Sequence, residues 1–240
     1  ELERWVLHRL AELDARVRSG YAAYDFQGVF RAVFDFATTD LSAFYFDIRK
    51  DVLYCDGDTP ERRAALAELE LVLARLHTWL APVLTFTMEE VWLERKGGEG
   101  SVHLQDIPQT PADWLDAELA AKWAGIRRAR RVVTAAREVQ RRDTVIGASL
   151  EAAPVVHVED AEVLAALKTV TFDDICITSA ISLTSDPAPS EAFRLPEVEG
   201  IGVLFETADG EKCQRCWKIL PDVGTHAHAG TCGRCNAALG

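Results

Sequence analysis

The chain has 240 residues, of which 48% are hydrophobic and 27% charged, and its formal net charge is −12. That balance gives a globular protein with a sizeable core and two or three units, and the acidic total weakly disfavours nucleic acid as a partner. The longest apolar run, Leu71 to Phe86, is broken by Arg75 and His77, so no membrane span of about 18 residues is expected.

The first half reads as helices in chain order. Leu2, Val6, Leu10, Leu13 and Val17 recur at helical steps, with Gly20 as the expected stop. Phe30, Val33, Phe34, Ala37, Leu41, Phe44 and Ile48 form a second stripe across Asp25 to Lys50. Thr59 is placed to cap a third helix with Pro60 in its first turn and a stripe of Leu66, Leu69, Leu73, Leu76 and Leu80. Thr87 to Glu90 has capping-box spacing for a short fourth helix ending at Gly97-Gly98. A long basic helix is expected from Thr110-Pro111 to about Arg142. These stripes read as the core of a helix bundle.

After Gly147 the pattern changes. Leu150 to Val158 is strand-like, Asp160 to Lys168 helical, Ile175 to Leu183 strand-like and Ile201 to Phe205 β-rich, with Asp186 to Pro189 as a turn. The expected fold is mainly α: a helical bundle over residues 1–145, a small α/β subdomain over 146–207, and a C-terminal four-cysteine zinc knuckle over 208–240.

That last segment carries the sharpest motif. Cys213-Gln-Arg-Cys216 and Cys232-Gly-Arg-Cys235 are two C-x2-C pairs separated by fifteen residues, the pattern of a four-thiolate zinc site. Each pair turns two sulfurs to one side of a tight loop, and two such knuckles complete a tetrahedron of roughly 2.3 Å Zn–S bonds. Four protein ligands leave no open position, so one structural zinc is expected. The alternatives are disulfides or unrelated buried thiols. His226 and His228 lie between the pairs and are surplus to a filled tetrahedron. Cys55 and Cys176 read as isolated core residues. With no signal-peptide pattern, a reducing cytoplasmic setting is expected. The chain starts at Glu1, and its one methionine is Met88, so it reads as part of a longer protein.

Charge is unevenly spread. Lys122 to Arg142 holds eight basic residues against Glu138 alone, a net +7, leaving −19 elsewhere. Arg130, Arg137 and Arg141 fall at seven- and four-residue steps on one helical face, and Trp123, Ile126, Val133 and Ala136 are expected on the opposing, buried side. The face suits a phosphate track, or simply a solvated surface.

Several segments together resemble the C-terminal part of bacterial isoleucyl-tRNA synthetases, which are class I aminoacyl-tRNA synthetases. They include Trp5 to Leu10, Asp40 to Ile48 running into Asp51 to Asp56, Leu80 to Trp92, Ser101 to Leu104, Ile146 to Ala152 and Ala208 to Trp217. The resemblance implies an anticodon-binding helical domain, a junction subdomain and a zinc finger gripping the anticodon stem-loop of isoleucine tRNA. HIGH and KMSKS strings are absent, so no catalytic residue is expected; ATP and aminoacylation would belong to a catalytic domain of the same parent chain. A monomer is expected. Unpaired bases are read by stacking and edge contacts. Trp217, beside a zinc ligand, is thus the candidate platform, or else the knuckle's own core. Arg215, Lys218 and Arg234 are candidate phosphate contacts. Competing readings are the zinc finger of a DNA-repair glycosylase type and a zinc-stabilised protein-interaction scaffold.

Overall fold

The computed structural model describes residues 1–240. The chain divides into two compact units, Glu1–Leu53 with Thr59–Ala117, and Tyr54–Asp58 with Glu118–Gly240. The protein is mainly helical, with a small α/β subdomain and a four-cysteine module at its end. No helix is long and apolar enough to cross a membrane.

In the first unit, α1 (Leu2–Ala22) buries Leu2, Val6, Leu10, Leu13 and Val17, as its periodicity indicates. Gly20 does not stop it. A Cβ there would sit 2.5 Å from Val29 Cγ2, so the glycine permits close approach of the next helix. The helix ends in a Schellman turn: Tyr24 is left-handed (φ 58°), Asp25 N–H donates to Gly20 O at 2.9 Å and Tyr24 N–H to Tyr21 O at 3.1 Å. Asp25 then caps α2 (Phe26–Asp35), accepting from Gly28 N–H at 2.9 Å.

Helix α2 runs through π-helical turns (Phe36–Phe46) into α3 (Asp47–Cys55). Val29, Ala32, Val33, Phe36, Leu41, Phe44, Tyr45 and Ile48 are buried, whereas Phe30 and Phe34, expected in the core, are 37% and 55% exposed. The wider π turns hold more residues each, so one 3.6-residue period drawn across the segment misphases its upstream end.

Helix α4 (Pro60–Leu80) starts as expected, with Thr59 accepting from Arg62 N–H at 3.2 Å. Its expected leucine stripe is corrected, however: Leu66 is exposed, and the buried face carries Ala65, Glu68, Val72, Arg75 and Trp79. Burial, reinforced by Glu3 and opposed by Arg75, pushes the Glu68 carboxyl up to about 8. Arg75 donates to Leu71 O and Gln109 O, each at 3.2 Å, and lies over the Trp114 ring. Helix α5 (Thr85–Arg95) places Thr87 inside the helix rather than at its cap. Glu89 instead accepts from Ser101 Oγ and Val102 N–H. The helix ends before Gly97 and Gly98, both at positive φ.

In the second unit, α6 (Ala117–Arg142) begins later than Thr110-Pro111, because Ala112–Trp114 forms a separate 3₁₀ turn. It buries Trp123, Ile126, Ala129, Val133 and Ala136. A four-stranded sheet follows in the order β2-β1-β4-β3. Its strands are β1 (Val155–Val158), β2 (Ser182–Thr184), β3 (Phe193–Leu195) and β4 (Val198–Leu204). Strand β1 is parallel to β2 and antiparallel to β4. The parallel crossover contains α7 (Ala161–Lys168), capped by Asp160, and α8 (Phe172–Cys176). The expected strand over Ile175 to Leu183 therefore reduces to Ser182–Thr184, since Ile175 and Cys176 end a helix that closes at left-handed Ile177 (φ 57°).

Candidate metal centre and nucleic-acid interface

A short antiparallel hairpin, β5 (Glu211–Lys212) and β6 (Ile219–Leu220), carries the first cysteine pair in its loop. Gly210 (φ 116°) makes the hairpin possible: a Cβ there would lie 2.4 Å from the Leu220 backbone. Cys213 N–H donates to Lys218 O at 2.9 Å, and Trp217 N–H to Cys213 O at 3.0 Å. This knuckle drives Trp217 into the left-handed region, φ 67°. The second pair opens α9 (Gly233–Leu239), with Cys232 at its N-cap. Asp222 braces that turn, accepting from Gly233 N–H at 2.8 Å and meeting His226 Nε2 at 3.0 Å. His226 is thus committed to Asp222, while His228 donates its backbone N–H to Asn236 Oδ1.

All four sulfurs of Cys213, Cys216, Cys232 and Cys235 lie within 4.8 Å of one another, and all four residues are buried. Tetrahedral Zn–S bonds of about 2.3 Å require sulfurs about 3.8 Å apart; those of Cys216 and Cys232 stand at 3.7 Å. Cys232 N–H points at Cys213 Sγ, 3.4 Å away. Burial opposes ionisation of Cys213. Backbone N–H groups of Cys216, Cys232 and Arg215 overcome it, however, and the thiol falls to about 6. Burial raises the thiols of Cys216 and, to about 11, of Cys235. The fit to a divalent ion such as zinc therefore rests on four buried sulfurs at tetrahedral spacing, with no position left for a reacting water. Cys55 is not isolated, as its sequence context suggested. It is buried among these four cysteines with Leu220 and Val223 alongside, and its Sγ lies 3.6 Å from Arg215 O. Cys176 is a buried core residue whose thiol pKa is raised by burial.

The basic candidates separate into two groups. Arg215 donates to the carbonyls of Cys55 and of Tyr54 (3.4 Å), and Arg234 meets Asp56 Oδ1 at 3.3 Å. Lys218 bridges Asp173 at 2.8 Å and Asp174 at 2.5 Å. Burial works against its charge, but the two carboxylates more than offset that and raise its pKa. On α6, Arg130 donates to Ile175 O at 2.8 Å, and buried Arg137 donates to Cys176 O at 2.8 Å. These two guanidiniums cap the C-terminal carbonyls of α8. Of the expected arginine face, Arg141 alone is exposed, with Glu138 beside it at 3.2 Å. Trp217 is 62% exposed, with Lys212 Nζ 5.8 Å above its ring, within cation–π range.

Sequence reasoning missed the acid pair Asp173-Asp174, the brace Asp222 and the place of Cys55. Only the Asp-Asp doublet was visible as a local pattern, and nothing local linked it to a lysine 44 residues away.

Residues 3–156 match the anticodon-binding domain of tRNA ligase, and residues 210–237 match the zinc finger found in FPG and IleRS. The chain belongs to the anticodon-binding domain family of tRNA ligases. Its terminal module is a zinc finger of that second kind, whose cofactor is a structural zinc. Among curated relatives, the chain is 71% identical over all 240 residues to the isoleucine–tRNA ligase of Ruegeria pomeroyi. It is 54% identical over 226 residues to that of Agrobacterium fabrum and 52% identical over 225 residues to that of Brucella abortus. It spans about a quarter of the length of these relatives, 25%, 23% and 23% in turn.

Proposed function

We propose that the chain is the C-terminal tRNA-binding part of an isoleucine–tRNA ligase. It holds the anticodon stem-loop of isoleucine tRNA in the cytoplasm, while a catalytic domain elsewhere in the parent chain joins isoleucine to that tRNA with ATP. Cys213, Cys216, Cys232 and Cys235 are the ligands of one structural zinc. Trp217 is the stacking platform for an unpaired base, and Arg141 supplies a phosphate contact. Arg130, Arg137, Arg215, Lys218 and Arg234 serve RNA binding indirectly, by fixing the elements that present these groups.

The observation that carries this reading is Trp217. It is a large ring held outward on a left-handed backbone beside the thiol cluster, with a lysine over its face. A platform fixed before binding loses little conformational freedom when a base stacks on it. The zinc finger alone would also suit a glycosylase-type DNA binder, but the match over residues 3–156 favours tRNA. A nuclease footprint of isoleucine tRNA bound to the zinc-loaded chain tests the reading. Protection centred on the anticodon loop is expected; protection confined to the acceptor end would overturn it.

A further inference from the structure

The second unit exposes two large aromatic rings, Tyr54 at 78% and Trp217 at 62%. Its remaining aromatics are buried (Trp123, Phe172) or half-buried (Phe193, Phe205). Both exposed rings sit on backbone fixed by the cysteine module. Tyr54 is the penultimate residue of α3, and its carbonyl accepts from Arg215 Nη2 at 3.4 Å. Arg215 lies inside the first knuckle, two residues before Trp217. Its other amino group donates to Cys55 O, and Cys55 Sγ returns a contact to Arg215 O at 3.6 Å. From the second knuckle, Arg234 meets Asp56 at 3.3 Å, and a Cβ built on Gly57 would lie 3.7 Å from Ala238 Cα of α9. The turn 54–58 is therefore gripped by both knuckles, so one scaffold orients both rings.

We infer that Tyr54 is a second nucleobase-stacking position, forming with Trp217 a two-ring platform for unpaired RNA bases. The inference rests on the anticodon-binding reading above and adds a contact to it. Three features favour bases over a protein partner. The Tyr54 phenol has no hydrogen bond or ring contact within the protein, so its face is available. The matched anticodon-binding region contains Tyr54 and the matched zinc finger contains Trp217, so the two recognised parts of the chain converge here. Lys212 stands over the Trp217 ring, placing positive charge where a sugar-phosphate backbone would run. Aromatic faces accept any base, so the platform supplies affinity while edge contacts discriminate.

The test uses the zinc-loaded chain and an RNA hairpin bearing the anticodon loop of an isoleucine tRNA, followed by fluorescence anisotropy. Tyr54→Ala is expected to weaken binding by about 5- to 150-fold, the effect of losing one stacked base. Tyr54→Phe keeps the ring and is expected to bind as the unsubstituted chain does, with melting temperature and zinc content unchanged in both variants. Unchanged affinity in Tyr54→Ala, with Trp217→Ala weakened, would overturn the role of Tyr54 and leave the anticodon reading standing. Equal losses in Tyr54→Ala and Tyr54→Phe would overturn stacking by the ring. Failure of the unsubstituted zinc-loaded chain to bind the hairpin would overturn both readings together.

Discussion

Replacing Trp217 with glycine separates an RNA platform from a miniature core. Tryptophan truncation in a packed core costs about 3–5 kcal/mol. Here the ring is 62% exposed, so of the ~150–250 Å² a tryptophan can bury less than half is at stake. At about 25 cal/mol per Å², that amounts to at most ~2.5 kcal/mol, an upper bound given a compact unfolded chain. Glycine's greater freedom when unfolded adds roughly 0.5–1 kcal/mol of loss. Against this, the residue sits at φ 67°, where a bulky side chain costs about 1–3 kcal/mol that glycine does not incur. The net loss of stability is therefore expected to be no more than about 2.5 kcal/mol. RNA affinity should fall about 5- to 150-fold through loss of one stacked base. Urea denaturation monitored by circular dichroism gives the first quantity, and titration of labelled anticodon hairpin gives the second. Destabilisation beyond about 3 kcal/mol with unchanged affinity would refute the argument and make Trp217 part of the knuckle's core.

Removing zinc with a chelator is expected to release amide protection across residues 210–240 and in the turn 54–58, because the module's buried cluster is little more than cysteines with Leu220 and Val223. Hydrogen exchange checks this, and protection persisting in a zinc-free sample would contradict it. Arg137→Ala should cost about 2–4 kcal/mol by stripping a buried charged donor from the end of α8. Arg141→Ala should leave the melting temperature unchanged and reduce the salt dependence of RNA binding by about one phosphate; the reverse assignment would refute the division of this face. The Glu68 carboxyl is raised to about 8 by burial, so the folded state holds a proton that the unfolded state releases from its ordinary value of 4.5 upward. Stability from this group is thus full below pH 4.5 and lost as pH rises toward 8, by a few kcal/mol at ~1.4 kcal/mol per pKa unit. Glu68→Gln should flatten that slope in urea titrations between pH 5.5 and 8.5; an unchanged slope would show that Glu68 is ionised in the fold.

What the sequence disclosed depended on how local the cause was. The cysteine pairs were legible because two-residue spacing encodes a knuckle directly, and the first helix because its five apolar residues keep one period. The stripe beginning at Phe30 misled because π turns change the period midway, an effect no window of fixed period detects. The leucines of α4 misled for a different reason. Its buried face contains Glu68 and Arg75, charged residues whose burial is set by partners distant in sequence. The same holds for the arginines of α6. Arg130 and Arg137 do share a face, but at helical spacing Trp123 and Ile126 lie within about 40° of Arg130, so this is the buried side and not its opposite. Only the path of the chain to Ile175 and Cys176 shows that it receives helix-end carbonyls. Positive charge read from composition locates a surface without saying what occupies it.

The most direct test of the central claim is the affinity of the zinc-loaded chain for isoleucine tRNA and for the same tRNA with a substituted anticodon, measured at matched salt. Tighter binding to the native anticodon, with the preference reduced in Trp217→Ala, is the expected result. Equal binding to both, falling steeply and identically with salt, would contradict the account and leave only a sequence-blind basic surface.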